Sequence, residues 1–374
     1  MRQHGTVLAP LTDLDDLRPV VAGLGPFLSV HLPLEPATEE LATELALRWR
    51  AGRSRAVEAG APEPLLAVVD GLLDGAQRLG AGLSVIAAAG GDVHVSHTPV
   101  PPPFEVVRWE PVPSLGPLVA VRQQLQPHVV ALVDRIGADL AVRPGDTVHR
   151  TVEGEDYPIR KVAPGGWSQR RYQQHAEETW HHNMADVAAE LATLTERSHT
   201  RIVTIGGDER AVGLVLDQLP AAVRDLVRPI AATRAADGSA AHLDDEVGDV
   251  VEAWIDGQLA ETLELYDQEL GQRDRATAGA RDTLAALREA RAAVLLVALD
   301  PTDERRAWVG TSADQVGSAP EELAAGQPAE VQAAARSAPL VDAAVTAAVA
   351  TGADVRVVPE SDRLPEGLGA LLRW

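Results

Sequence analysis

A chain of 374 residues has room for two or three domains, and 45% hydrophobic with 24% charged residues is an ordinary globular composition. The absence of cysteine excludes disulfides, thiolate metal sites and cysteine nucleophiles. A formal net charge of −22 excludes coating of RNA or sliding on DNA, so any contact with nucleic acid must be local.

The chain opens with Asp13, Asp15 and Asp16 where a secretory segment needs continuous apolar residues, and no apolar run approaches the roughly 20 residues that span a bilayer. The expectation is a cytoplasmic protein without membrane contact. The spacing then predicts a first α/β domain over residues 1–125. Its parts are a strand at Pro26–Leu34, helices at Ala37–Glu58 and Leu65–Leu79, and a hairpin turning at Gly90-Gly91. Proline-rich segments from Pro99 to Leu118 punctuate its end.

A second domain is expected over 126–250. Two β-rich runs, His128–Asp134 and Ala138–Val142, flank a turn, and a third follows at Thr147–Val152. A polar loop leads into a long helix from about Ser168 to Arg197, with Ser168 placed as its N-cap. Tyr172, Ala176, Trp180, Met184, Val187, Leu191 and Leu194 step by four and three, as one helix face requires. The strand Arg201–Gly207 and a further helix follow. Three antiparallel strands, a helix and strand–helix repeats point to an RNase H-like layer arrangement. A third domain, 251–374, reads as a small α-β-α sandwich with helices at Asp245–Arg273, Gly279–Ala290 and Val341–Ala350 around the strands Ala292–Asp300 and Ala353–Glu360. The fold class is therefore α/β (α+β) in three domains.

The segment from Tyr157 to Gln174 carries Arg160, Lys161, Arg170 and Arg171 and no acidic residue. Lys161 is the one lysine among 33 basic residues. This is a local inversion of charge in an acidic protein. Gly165-Gly166 gives a loop whose backbone can approach a partner closely. A basic tip at the end of a long helix suits contact with phosphate-rich RNA, though an ordinary surface loop with chance arginines would look the same.

That segment resembles the middle-domain signature of the archaeo-eukaryotic release factor 1/Pelota family, a Gly-Gly-Gln loop followed by Ser, an Arg-aromatic pair and a long helix. Gly165 and Gly166 match the glycines, and Arg171-Tyr172 matches the Arg-Phe pair. Trp167 stands where the catalytic glutamine is expected, and Gln169 lies two positions later. Gly166-Trp167-Ser168-Gln169 fits the looser Gly-x-x-Gln loop of the branch that cleaves peptidyl-tRNA. Gly279–Val297 is similar to the family's third-domain helix–strand phrase, and the closing Leu372-Arg373-Trp374 to its terminal Leu-Arg-Tyr. The resemblance implies a C-terminal domain like ribosomal protein L7Ae. The first domain lacks the family's codon-reading motifs, a pattern similar to the bacterial branch that includes Balon-like ribosome hibernation factors.

The resemblance implies a stress-related hibernation factor that docks in the A site of the 70S ribosome without reading stop codons and contacts rRNA. It needs no cofactor and binds no DNA. Arg160, Lys161, Gly165, Gly166, Trp167, Ser168, Gln169, Arg170 and Arg171 would form its RNA contact, with the tRNA CCA end and a translational GTPase such as EF-Tu as further partners. The alternative is a peptidyl-tRNA hydrolase in which Gln169 positions water. A second alternative is a Mg-dependent nuclease using Asp134, Glu177 or Glu178, and Asp208. His175, His181 and His182 share a helix without the spacing of four that puts two metal ligands on one face, so no metal site is expected. Thr204–Gly213 superficially looks like a phosphate loop but reads better as a strand-to-helix turn.

Overall fold

The structure, a computed structural model, describes residues 8–23, 25–34, 39–73, 76, 79–144, 148–153, 167–233, 240–323, 334–359 and 362–374. These divide into two compact units, residues up to Gln123 together with Leu259–Trp374, and Gln124–Gln258.

The first unit begins with α1 (Arg18–Val21), β1 (Phe27–Pro33), α2 (Glu39–Glu58), α3 (Glu63–Leu73), β2 (Gly82–Ala88), β3 (Val93–Thr98), β4 (Val106–Glu110) and α4 (Gly116–Gln124). The strands form an antiparallel sheet in the order β3-β2-β1-β4. Alternation along β1 sends Leu28, Val30 and Leu32 into a core with Trp49 and Ala56 of α2 and Leu65, Leu66 and Val69 of α3. Its other residues, Phe27, Ser29 and His31, are buried as well, so both faces of the sheet are covered. On that second face Ser29, His31 and Ser84 satisfy one another's neighbourhood. His31 Nδ1 lies 2.8 Å from Ser84 Oγ, its Nε2 2.7 Å from Ser114 O, and Ser114 N donates to Ser29 Oγ at 2.9 Å. Burial holds the His31 imidazole down at about 4 despite the bond to Ser114.

The middle unit is built from β5 (His128–Val133), β6 (Gly137–Arg143), β7 (Val148–Glu153), α5 (Trp167–Arg197), β8 (Val203–Gly207), α6 (Glu209–Gln218), α7 (Ala221–Arg224) and β9 (Val227–Pro229). The sheet order is β7-β6-β5-β8-β9. Strand β6 runs antiparallel to both its neighbours, while β5, β8 and β9 are parallel. Numbered within the unit this is 3-2-1-4-5 with the second strand reversed, the RNase H-like arrangement expected from the sequence. Met184, Val187, Leu191 and Leu194 of α5 are buried against Val129, Ala131, Leu140 and Ile205 of the sheet.

Then come α8 (Ala240–Gln272), β10 (Ala276–Ala278), α9 (Ala280–Arg288), β11 (Ala292–Ala298), β12 (Arg306–Val309), β13 (Val316–Gly317), α10 (Pro320–Leu323), β14 (Arg336–Pro339), α11 (Leu340–Thr351), β15 (Asp354–Val358) and β16 (Leu368–Leu372). One sheet has the order β10-β16-β11-β15, with β11 and β15 parallel, and a small one the order β13-β12-β14. Leu368, Ala370 and Leu372 of β16 face α9 and α11, whereas Gly369 faces Tyr266 of α8. A Cβ on Gly369 would come within 2.7 Å of the Tyr266 hydroxyl, so glycine is what lets α8 lie on that side. Helices thus cover both faces of this sheet, the α-β-α sandwich. Arg373 explains part of the terminal motif: its guanidinium donates to Ala290 O, Thr351 O and Gly352 O at 2.6, 3.2 and 2.9 Å, capping the ends of α9 and α11 together. The β12–β14 sheet, β16 and α4 were not expected.

No helix among the described residues is long and apolar enough to cross a membrane.

Candidate functional site

The predicted RNA tip joins β7 to α5. Arg160, Lys161, Gly165 and Gly166 lie outside the described residues. Trp167, Ser168, Gln169, Arg170 and Arg171 are the first five residues of α5, described as helical backbone. Ser168 is therefore the second residue of the helix and not its N-cap, because the helix begins at Trp167, two residues earlier than the cap reading supposed. The first turn contains no acidic residue to oppose an approaching anion. At 1.5 Å per residue, Trp167 lies about 26 Å along the helix axis from Met184, where full burial of the described side chains of the hydrophobic stripe begins.

Several contacts brace the helix beyond its apolar stripe. Arg150 of β7 pairs with Glu190, and Gln218 at the end of α6 donates to His181 O at 3.2 Å. Trp180 stood in the predicted apolar stripe, but the structure leaves it half-buried. The guanidinium carbons of Arg135 and Arg210 lie 5.0 and 5.5 Å from its ring centroid. An indole ring is apolar in bulk, yet its negative face also attracts cations, and here that property prevails. Sequence spacing misses this cluster because its three members come from a turn, α5 and α6.

Two carboxylates of the nuclease alternative, Asp134 and Asp208, are engaged in backbone work, while Glu178 is exposed on α5 and the Glu177 side chain lies outside the described residues. Asp134 Oδ1 accepts from the amides of Ile136 and Gly137 at 2.8 and 2.9 Å, which builds the turn between β5 and β6. Asp208 is the N-cap of α6, accepting from Ala211 N at 3.1 Å, and its other oxygen pairs with Arg135 Nη2 at 3.1 Å. Burial tends to raise the Asp208 carboxyl, but the bonds from Ala211 and Arg135 outweigh it and hold the group below its ordinary value. A guanidinium therefore neutralises the carboxylate that a metal would need. Among the described residues, no three His, Asp or Glu side chains cluster as metal ligands. His182 is exposed and lies 3.9 Å from Asp186, a solvated pair on the helix surface.

Gly206 and Gly207, two of the three glycines from Thr204 to Gly213, are explained by close packing. Gly207 has φ +129°, and a Cβ there would sit 1.8 Å from Val133 O. One on Gly206 would sit 2.4 Å from Ala232 O. The turn is shaped by its neighbours, with no need of a phosphate.

Residues 127–272 match the model of bacterial archaeo-eukaryotic release factor family 2. Over 374 residues the chain is 28% identical to Mycobacterium tuberculosis protein Rv2629, described as uncharacterized, with 96% of each chain covered. Among solved structures, Pelota of Archaeoglobus fulgidus is 16% identical, covering 78% of this chain and 79% of that one at a TM-score of 0.36. The archaeal termination factor aRF1 is 18% identical, covering 96% of each chain at a TM-score of 0.24.

Proposed function

We propose, from the match of residues 127–272 to bacterial archaeo-eukaryotic release factor family 2, that the chain is a cytoplasmic member of that family that docks in the A site of the 70S ribosome to protect or silence it. The family match over 127–272 carries this reading, because it covers the unit that holds the basic tip. The charge inversion from Tyr157 to Gln174 supports it independently: Arg160, Lys161, Arg170 and Arg171 supply local affinity for rRNA phosphate in a protein of net charge −22. Trp167 in the position expected for the catalytic glutamine favours occupancy over hydrolysis, and the missing codon-reading motifs favour action without a stop codon. A translational GTPase such as EF-Tu is the delivery partner by analogy of fold.

Docking in the A site makes the protein and A-site tRNA mutually exclusive. Saturating it on 70S ribosomes is expected to block binding of labelled aminoacyl-tRNA to the A site while leaving P-site tRNA in place. Simultaneous binding of both would remove the A-site assignment.

The hydrolase alternative rests on Gly166 and Gln169 at the Gly-x-x-Gln spacing, with Gln169 in the first turn of α5. It requires release of peptide from peptidyl-tRNA on the ribosome, abolished by Gln169→Ala. Absence of release by the wild-type protein leaves occupancy as the function.

A further inference from the structure

We propose that the N-terminal segment up to Gln123 and the segment Leu259–Trp374 open and close as one cooperative body, a single module into which the release-factor-like segment is inserted. The juxtaposition that carries this is a shared core. Phe27, Ile86 and Leu118 from the first segment are buried in the same cluster as Leu295, Ala344 and Leu368 from the second. The second face of the β1–β4 sheet is thus covered by the far end of the chain.

Polar groups along the seam are paired across it. Gln123 Nε2 donates to Val357 O at 2.8 Å while its Oε1 accepts from Val357 N at 2.9 Å. Because β15 is the edge strand of its sheet, this side-chain amide stands in for a neighbouring strand and closes the edge. Arg356 is buried, with Nε donating to Asp354 Oδ2 at 2.9 Å and Nη2 to Ala9 O at 2.8 Å. Asp354 also accepts from Leu11 N at 3.3 Å, so one buried ion pair holds both ends of the segment's start. Glu110 and Arg306 form a two-pronged pair with both distances at 3.0 Å. Thr346 donates to Pro113 O at 3.3 Å. A seam with an apolar interior and polar groups paired across it is built like a domain core, whereas interfaces between mobile domains are smaller and more polar. The consequence is that the N-terminal segment does not act as an arm moving apart from the C-terminal sandwich. This inference stands whether or not the ribosomal reading holds.

Native-state hydrogen exchange on the full chain tests it, because a cooperative body loses protection everywhere when weakened anywhere. Leu66→Ala is the informative variant: Leu66 lies in the core on the α2–α3 side of the sheet, away from the seam. Protection of the slowest amides in β1 and β2 is expected to fall roughly 30-fold or more, and that of β11 and α11 by the same factor. Wild-type protection in β11 and α11 alongside lost protection in β1 and β2 would overturn the proposal. If Leu66→Ala fails to fold, Val69→Ala in the same core gives a second, independent reading with the same two outcomes. In the wild-type protein under increasing urea, the slowest amides of both segments should converge on one opening transition. Two separate transitions would again contradict it.

Discussion

Burial pushes the Asp342 carboxyl up to about 6, and the bonds from Ser114 and the Arg108 guanidinium offset only part of that. Arg108 Nη1 stands 3.7 Å from Asp342 Oδ2, and Asp300, Asp303, Glu110 and Arg306 complete the charged surroundings at this recess. Unfolded, the group titrates near 3.8. Between these two values the folded chain keeps a proton that the unfolded chain has released. Stability from Asp342 is therefore greatest in acid and declines as pH rises through that window, by on the order of 3 kcal/mol. His31 acts in the opposite sense. Its imidazole protonates near 6.5 when unfolded and only at about 4 when folded, so acidification through that interval costs stability. Asp342→Asn should remove the first effect alone. Urea midpoints at pH 4.5 and 7.5 are expected to show the variant gaining on the wild type at the higher pH, and parallel pH profiles would refute the assignment. Arg356 offers a second test at this scale. Replacing it with leucine strands the buried Asp354 carboxylate, which typically costs ~3–5 kcal/mol. Thermal unfolding within a degree of wild type would show that the pair is not where the seam's polar stability resides.

The helix α5 and the β8–α6 turn show how elements hold the middle unit. The spacing of Met184, Val187, Leu191 and Leu194 made α5 legible in the sequence, because burial on one side imposes the helical repeat directly. Strands β5, β6 and β8 were legible as short β-rich runs bounded by turns, and with the helix between them they pointed to the RNase H-like arrangement; the order of the sheet was not read from the sequence. Other elements lacked such signals. Strands β12, β13 and β14 have four, two and four residues, too few for alternation to show. Strand β16 contains Gly369, which is disfavoured in strands and is needed to admit Tyr266. The tip is legible as a composition, a run of basic residues and glycines, whereas the Arg135–Trp180–Arg210 cluster exists only after folding brings three elements together. At the β8–α6 turn, Gly207→Ala introduces a Cβ at positive φ and against Val133 O. The strain alone is worth ~1–3 kcal/mol, and the displaced strand end adds to it. The expected outcome is a lower melting temperature for the middle unit, read from exchange in β5 and β8. An unchanged profile would mean the turn relaxes freely.

For the whole molecule, the decisive quantity is the contrast between a net charge of −22 and one basic segment. An acidic body resists non-specific adhesion to RNA, so the proposed docking would depend on that segment, whose residues from Trp167 onward open a helix of 31 residues. A salt dependence follows. Each phosphate contact contributes just under ~1 to the slope of log K against log salt, so Arg170→Glu with Arg171→Glu should flatten the slope by about 2 and weaken binding at low salt. The most direct measurement is co-sedimentation of the full-length protein with vacant 70S ribosomes across a salt series, wild type beside that double variant. The predicted result is salt-sensitive pelleting of the wild type and a weaker, flatter response in the variant. A wild-type protein that stays in the supernatant at low salt, or a charge-reversed one that pellets equally well, would contradict ribosome docking through this tip.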